Sequence, residues 1–285
     1  MINAALVLEG GSLRSLYTAG VLDTFLEHKI EFSCVIAVSA GALTAANYIS
    51  SQKMRTAKIN ILHSGNPNYY GLKQLILKRS AFNLDYVFDK PINELYPYDE
   101  KKFEQSSQNF FVATTDCNLG KVKYFNANQK YNEMIEYLRA SSSLPLLSPM
   151  VHIDGGIYLD GGIVAPIGIE KAFQEKYDKI VVVSTREINY IKHPKSLAIR
   201  TMFEIRYKKY PYLLEALHKM PDTYNNLRIK IDKLRISNKI FVIQPKNMLK
   251  IRTVEKDARK LAQLYFQGIN DAEMELEAMF SYLRK

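Results

Sequence analysis

The sequence is poor in three things, and each scarcity narrows what the protein can be. It has two cysteines, Cys34 and Cys117, far apart and each beside residues that read as strand. With no C-x-x-C pair and no His-rich spacing near them, they argue against a disulfide scaffold or a zinc module, and both are expected to be buried thiols in a reducing, cytoplasmic compartment. No stretch approaches the ~18 uncharged apolar residues that a membrane-spanning helix needs. The apolar start, Ile2 and Ala4 to Leu8, meets Glu9 before any cationic leader or cleavage site develops, so it is not read as a signal peptide. Histidine occurs only five times, and no His, Cys and carboxylate cluster has ligand spacing. No metal or other cofactor is expected.

What is plentiful is positive charge. Lys and Arg number 39 against 29 Asp and Glu, a net charge of +10, which raises nucleic acid, an anionic membrane or an acidic substrate as partners. Its placement matters more than its total. Residues 186–239 hold 13 basic and 5 acidic side chains, net +8, and the remaining 26 and 24 nearly cancel. Within that segment Arg206-Tyr-Lys-Lys-Tyr-Pro-Tyr212 interleaves cations with rings, as interfacial helices and single-strand nucleic-acid binders do. Apolar residues at helical spacing, Met202, Phe203, Leu213, Leu217 and then Leu227, Ile231 and Leu234, give the plainer reading of an amphipathic helix pair packed on the rest. No nucleic-acid motif accompanies it, so no nucleic-acid partner is expected.

The 47% of hydrophobic residues supplies a sizeable core, and their periodicity sets the fold class. Ala4 to Leu8 is a short apolar run without helical period, ended by Gly10-Gly11-Ser12. Leu16 to Leu26 recurs at three- and four-residue spacing, Phe32 to Val38 is a second buried strand, and Ala42 to Ile49 is again helical. Strand, helix, strand, helix predicts parallel strands in a layered α/β fold. Further on, Phe110–Thr115 and Lys121–Phe125 read as a hairpin, Tyr131–Ala140 as a helix, and Val151–Ile153 and Ile157–Leu159 as strands joined by Asp154-Gly155-Gly156. Pro166 is expected to open a helix through Phe173, Lys179–Ser184 and Ile240–Ile243 to be strands, and the chain from Val254 to be helical. Residues 51–108 are irregular, with a basic amphipathic piece around Leu72–Lys78, and read as an insertion or flap.

Three motifs carry chemistry. Ala37-Val38-Ser39-Ala40-Gly41 places a serine between a buried strand and a helix with small residues two positions either side. A strained turn that exposes a nucleophilic hydroxyl requires that, although an N-capping serine at a plain strand-to-helix junction would look the same. Gly10-Gly11-Ser12-Leu13-Arg14 follows the first strand; its backbone N–H groups, with a helix behind them, suit an oxyanion or a phosphate. Asp160-Gly161-Gly162 ends a strand, from which the carboxylate could reach a serine on a neighbouring strand. Asp154 is explained by its hairpin turn. A Ser-His-Asp triad would need His193 or His218, both of which read as surface residues.

Taken in order, Glu9 to Arg14, Ala37 to Gly41 and Asp160 to Gly162 resemble the patatin-like phospholipases, most closely the bacterial patatin family proteins of similar length. The resemblance implies a three-layer α/β/α sandwich with a mostly parallel central sheet. It also implies a serine acyl hydrolase of phospholipase A type, cleaving lipid acyl esters through an acyl-enzyme. Carried over by position, Ser39 is the nucleophile and Asp160 the base. Gly10, Gly11 and Ser12 form the oxyanion hole, Arg14 braces that loop, and Ala37, Gly41, Gly161 and Gly162 support the turns. Ser12 and Ser15 stand where the family usually has glycine, as does Ala37 at the elbow; these departures leave a catalytically weak or silent member that binds lipid or an anion as the alternative. Residues 1–185 are expected to be the catalytic core and 186–285 a basic helical segment, last strand and C-terminal helices on the same domain. The substrate partner is then a lipid acyl ester, with peripheral contact to the anionic inner membrane face through 186–239.

Overall fold

Strand β1 (Ile2–Leu8) is apolar at every position from Ala4 because both of its faces are covered. Ala4, Leu6 and Leu8 enter one core layer, with Leu16 and Leu22 of α1 (Ser15–Glu27), Ala42 and Ala45 of α2 (Ala40–Ile49) and Ile59 of α3 (Arg55–Leu62). Ala5 and Val7 enter the other, with Ile169 and Ala172. The computed structural model describes residues 1–69, 71, 83, 90–128, 130–247 and 249–284. The basic piece around 72–78 lies outside them. Of the 51–108 stretch, α3 is no flap: Arg55, Ala57 and Ile59 are buried. Short helices α4 (Lys90–Leu95) and α5 (Glu100–Glu104) follow.

Among the described residues eight strands form one sheet. The others are β2 (Phe32–Val38), β3 (Asn109–Asp116), β4 (Lys121–Asn126), β5 (Val151–Ile153), β6 (Gly156–Asp160), β7 (Ile180–Val183) and β8 (Phe241–Ile243). Hydrogen-bonded neighbours follow β5-β6-β3-β2-β1-β7-β8, with β4 also on β3. The β3-β2-β1-β7-β8 part is parallel, and the pairs made by β4, β5 and β6 are antiparallel. The sheet is therefore mixed, with its central part parallel, and helices cover both faces in the patatin-like α/β manner.

One layer is completed by α6 (Tyr131–Ser141) and by the C-terminal α10 (Ala258–Arg284), whose Leu261, Leu264 and Met279 share the core of α1. The opposite layer holds α7 (Ile169–Gln174) and Ile231 of α9 (Pro211–Ile236). The basic segment folds as a hairpin of α8 (Leu197–Tyr207) and α9, buried through Phe203, Tyr207, Leu213 and Leu217 against Leu159 and Ile163. Two helix starts differ from the sequence reading. The Pro166 carbonyl accepts from the Gly10 N–H at 3.3 Å, and the helix begins only at Ile169. Near the C-terminus Asp257 Oδ1 accepts from the Arg259 N–H at 3.0 Å, a side-chain cap that delays the helix from Val254 to Ala258.

Candidate active site

The pairing register brings the second and third motifs together. On β3, Ala113 pairs with Val38 on one side and Tyr124 on the other, while Thr114 pairs with Asp160 and Lys123. Since β4 holds one side throughout, β2 and β6 share the other and meet end to end. The residue after β2 is Ser39 and the last of β6 is Asp160. The two strands are thus neighbours end to end rather than side by side, and an antiparallel β6 is what points its terminal carboxylate at the elbow.

Ser39 has φ 54° and ψ −129°, a left-handed conformation that costs a non-glycine residue about 1–3 kcal/mol. The turn is held around it. Its N–H donates to Ser141 Oγ at 2.7 Å, and Ser141 Oγ donates to the Ala113 carbonyl at 2.6 Å. A Cβ on Gly41 would lie 2.7 Å from the Glu9 carbonyl oxygen, so only glycine fits there. Ala37, one position before Val38, is fully buried in the core with its methyl accommodated.

Ser39 Oγ donates to Asp160 Oδ2 at 2.6 Å, and the Gly162 N–H donates to Oδ1 at 2.7 Å. Thr115 Oγ1 donates to the Asp160 carbonyl at 2.8 Å, and Gly161 sits against the Ala113 carbonyl where a side chain would collide. Both partners are buried, Asp160 being 4% exposed. Desolvation pushes the Asp160 pKa up to about 6, opposed by the Ser39 and Gly162 hydrogen bonds and by the charge of Lys192. A carboxylate so placed can take a proton from the serine hydroxyl.

The Gly10 loop stands beside this pair, its Cβ position 3.1 Å from Ser39 Cβ. The Gly10 N–H is engaged with Pro166, whereas the Gly11 and Ser12 N–H groups have no hydrogen-bond partner among the described residues. Ser12 adopts φ 51°; its Oγ donates to the Thr253 carbonyl at 3.0 Å, and Ser15 Oγ donates to the Ser12 carbonyl at 2.7 Å. Both serines that replace glycines are thus used to fix the loop. Arg14, expected to brace it, is half-buried beside Arg186, and its Nε has no partner among the described residues; desolvation lowers its pKa to about 10.

Three contributors were given no role by the sequence, although Glu9 opens the first motif. Glu9 is buried and accepts from Tyr224 Oη at 2.7 Å, the Thr185 N–H at 2.7 Å and Ser184 Oγ, which in turn accepts from Arg228 Nη1 at 2.7 Å. The i, i+4 pair Tyr224 and Arg228 was the available clue, and it pins α9 to the end of β1. Lys192, its pKa lowered to about 8 by burial, contributes positive charge at Asp160. Ser141 opens the 141–143 polar run. No histidine takes part: His218 pairs with Glu204 at 2.5 Å, and His152 and His193 are exposed. Asp154 has φ 47° in the β5–β6 turn. Cys34 and Cys117 are free and buried, each thiol pushed up to about 12 by desolvation. Among the described residues no group of three or more His, Cys, Asp or Glu side chains could hold a metal ion.

A cavity of about 230 Å³ opens on Ser39, walled by Leu13, Leu43, Leu144 and Val151 among others. A layered α/β sheet with a strained serine at a strand-to-helix turn places the chain in the nucleophile-elbow class of α/β proteins. Within that class it belongs to the patatin-like phospholipase family, a family of lipid hydrolases, whose model matches residues 6–173, more than half of the chain. Residues 210–284 match a second model, a domain of unknown function, DUF6363. The uncharacterized protein YjjU of Escherichia coli (strain K12) is 25% identical over 185 residues, 64% of this chain and 51% of YjjU, so the match spans about half the length of that relative. VipD from Legionella pneumophila superposes over 98% of this chain and 67% of its own, with a TM-score of 0.46 and 11% identity.

Proposed function

We propose that the protein is a serine acyl hydrolase of lipid esters in which Ser39 attacks the ester carbonyl and Asp160 is the base. The 2.6 Å hydrogen bond from Ser39 Oγ to a buried, collinear Asp160 carries this reading. Asp160 takes the hydroxyl proton as Oγ bonds to the carbonyl carbon, and the Gly11 and Ser12 N–H groups stabilise the oxyanion. The ester bond then breaks, the alcohol leaves with the proton from Asp160, and water attacks the acyl-enzyme by the same route. Gly10, Gly41, Gly161 and Gly162 set the turns, and Ala37 keeps the elbow packed.

A fluorophosphonate probe tests nucleophile and reaction class together. Labelling of wild type and its loss in Ser39→Ala is the expected result, with ester hydrolysis lost in Ser39→Ala and in Asp160→Asn but kept in His193→Ala and His218→Ala. Full hydrolysis by Asp160→Asn would refute the dyad.

Residues 1–185 are read as the catalytic core and 186–285 as a segment folded onto it. Its α8–α9 hairpin is proposed to rest on anionic lipid. Leu197 and Ile205 are 77% and 71% exposed, beside exposed Arg200, Arg206, Lys208 and Lys209. Among the described residues no helix is long and apolar enough to cross a membrane.

A further inference from the structure

The cavity beside Ser39 does not end in apolar side chains. It runs from the Ser12–Leu13 loop and Ser39 along α2 to Asn47, Tyr98 and Arg55. Asn47 follows Ser39 by eight residues, which at about 1.5 Å per helical residue sets that end about 12 Å from the elbow. Arg55 is 5% exposed.

Two of the guanidinium nitrogens hold the fold. Nε donates to the Tyr96 carbonyl at 2.9 Å and Nη1 to Asn47 Oδ1 at 3.0 Å. The Asn47 amide is itself fixed, its Nδ2 donating to Thr56 Oγ1 at 2.9 Å, and the guanidinium lies 5.3 Å from the centre of the Tyr98 ring. Nη2 is buried with no hydrogen-bond partner among the described residues. Charge is equally unanswered: the described lining of the cavity contains no Asp or Glu, and the groups acting on Arg55 are the phenols of Tyr98, Tyr131 and Tyr69. Burial lowers its pKa, yet an arginine stays protonated.

A buried cation with a free donor and no counter-charge among the described residues is costly for the fold alone. Joining α2 to residue 96 needs only Nε and Nη1. The unpartnered Nη2 of a charged guanidinium suits an oxygen of a carboxylate or phosphate, and the apolar walls between it and Ser39 suit a hydrocarbon spacer.

We propose that the substrate carries a terminal anion, a carboxylate or a phosphate, which Arg55 receives at the far end of the cavity while the scissile ester lies at Ser39. This rests on the hydrolase reading above and names the substrate class for that same site. A simple neutral acyl chain would leave the Arg55 charge unpaired, whereas an anionic end group completes it.

Two substrate pairs separate the sources of the anion. The p-nitrophenyl hemiester of suberic acid against p-nitrophenyl octanoate puts it on the acyl side; lysophosphatidic acid against the monoacylglycerol of the same chain puts it on the alcohol side. Wild type is expected to show kcat/KM about tenfold or more higher for the anionic member of at least one pair. In Arg55→Met that ratio should fall to near one, and in Arg55→Lys it should be kept in part. Both members are measured in the same protein, so the ratio is independent of how much of a variant folds. Wild-type ratios near one in both pairs, or a ratio that survives in Arg55→Met, overturn the proposal while leaving the hydrolase reading intact. No turnover of any of the four substrates, with no fluorophosphonate labelling, overturns both.

Discussion

Protonation of Asp160 bears on catalysis and on stability with different signs. As the proposed base it must be ionised, and burial pushes its pKa up to about 6, so kcat/KM should fall about tenfold per pH unit below pH ~6 and level off above it. For the fold the relation is reversed. Desolvation raises the carboxyl above its ordinary 3.8, so the folded state holds the proton more tightly than the unfolded chain does. That stabilisation is complete below the unfolded value and is lost as pH rises through 6, where ionisation comes to cost about 3 kcal/mol. Asp160→Asn removes the charge but can still accept from Gly162 and bond Ser39. The inactive variant should therefore melt above wild type at about pH 8, by a margin that shrinks toward pH 5, and equal melting at both would contradict a desolvated carboxylate. The side chains proposed to react were legible because each sits in a motif whose spacing reflects its own backbone turn. Lys192 and Arg55 were not, since their proximity to the site is created by tertiary packing and leaves no local spacing. The loop's hydrogen bonds from Thr185, Ser12 and Ser15 are likewise tertiary or side-chain contacts that motif spacing does not announce.

Helices α1 and α10, though far apart in sequence, cross with backbones in contact. A Cβ on Gly20 would meet the Tyr265 carbonyl, and one on Gly268 the Tyr17 carbonyl. Reciprocal hydrogen bonds flank the crossing: Tyr17 Oη donates to Asp271 at 2.9 Å and Tyr265 Oη to Asp23 at 2.7 Å. Gly268→Ala decides between two effects. Helix propensity favours alanine by about 1 kcal/mol, but a methyl pressed on a backbone oxygen forces the helices apart, typically at about 1–3 kcal/mol before the two tyrosine bonds are strained. The expected net is destabilisation, read as a lower thermal midpoint and as faster proteolysis of the C-terminal helix; an unchanged midpoint would mean that the crossing is loose. The strands were easy to read because burial on both faces makes them continuously apolar, and α1 because its apolar period is undisturbed. The starts at Ile169 and Ala258 were not, because the Gly10–Pro166 contact and the Asp257 cap compete with periodicity locally. The end-to-end meeting of β2 and β6 was out of reach for the same reason that Lys192 was: it depends on which side of β3 each strand takes.

The net charge of +10 belongs to the molecule only as a sum. Part of the +8 in 186–239 is structural, since Arg228 is buried against Ser184 and Gln244 and Lys192 faces the active site. What remains at the surface is concentrated on the α8–α9 hairpin, the face proposed above to rest on anionic lipid. The Leu146 N–H donates to Tyr207 Oη at 2.8 Å, which ties the loop carrying Leu146 to α8, and Leu146 shares an open depression with Met202, Ile205 and Arg206. The same loop supplies Leu144 and Ser148 to the wall of the Ser39 cavity. A bilayer resting on the hairpin would therefore lie near the cavity mouth, with exposed leucine and isoleucine entering its surface and the cations meeting headgroups. Each cation near an anionic surface contributes about 1 kcal/mol, so Lys208→Glu with Lys209→Glu should weaken vesicle binding by about 10-fold or more. Ile205→Glu should weaken it through the apolar contribution. Sedimentation with phosphatidylglycerol-containing and pure phosphatidylcholine vesicles checks this, and half-molar salt should reproduce the charge reversals because exposed charges are then screened within a few ångströms. Hydrolysis of a soluble ester should be unaffected by these three substitutions, which lie outside the cavity lining. Binding indifferent to lipid charge, to salt and to Ile205→Glu would leave the hairpin with packing alone.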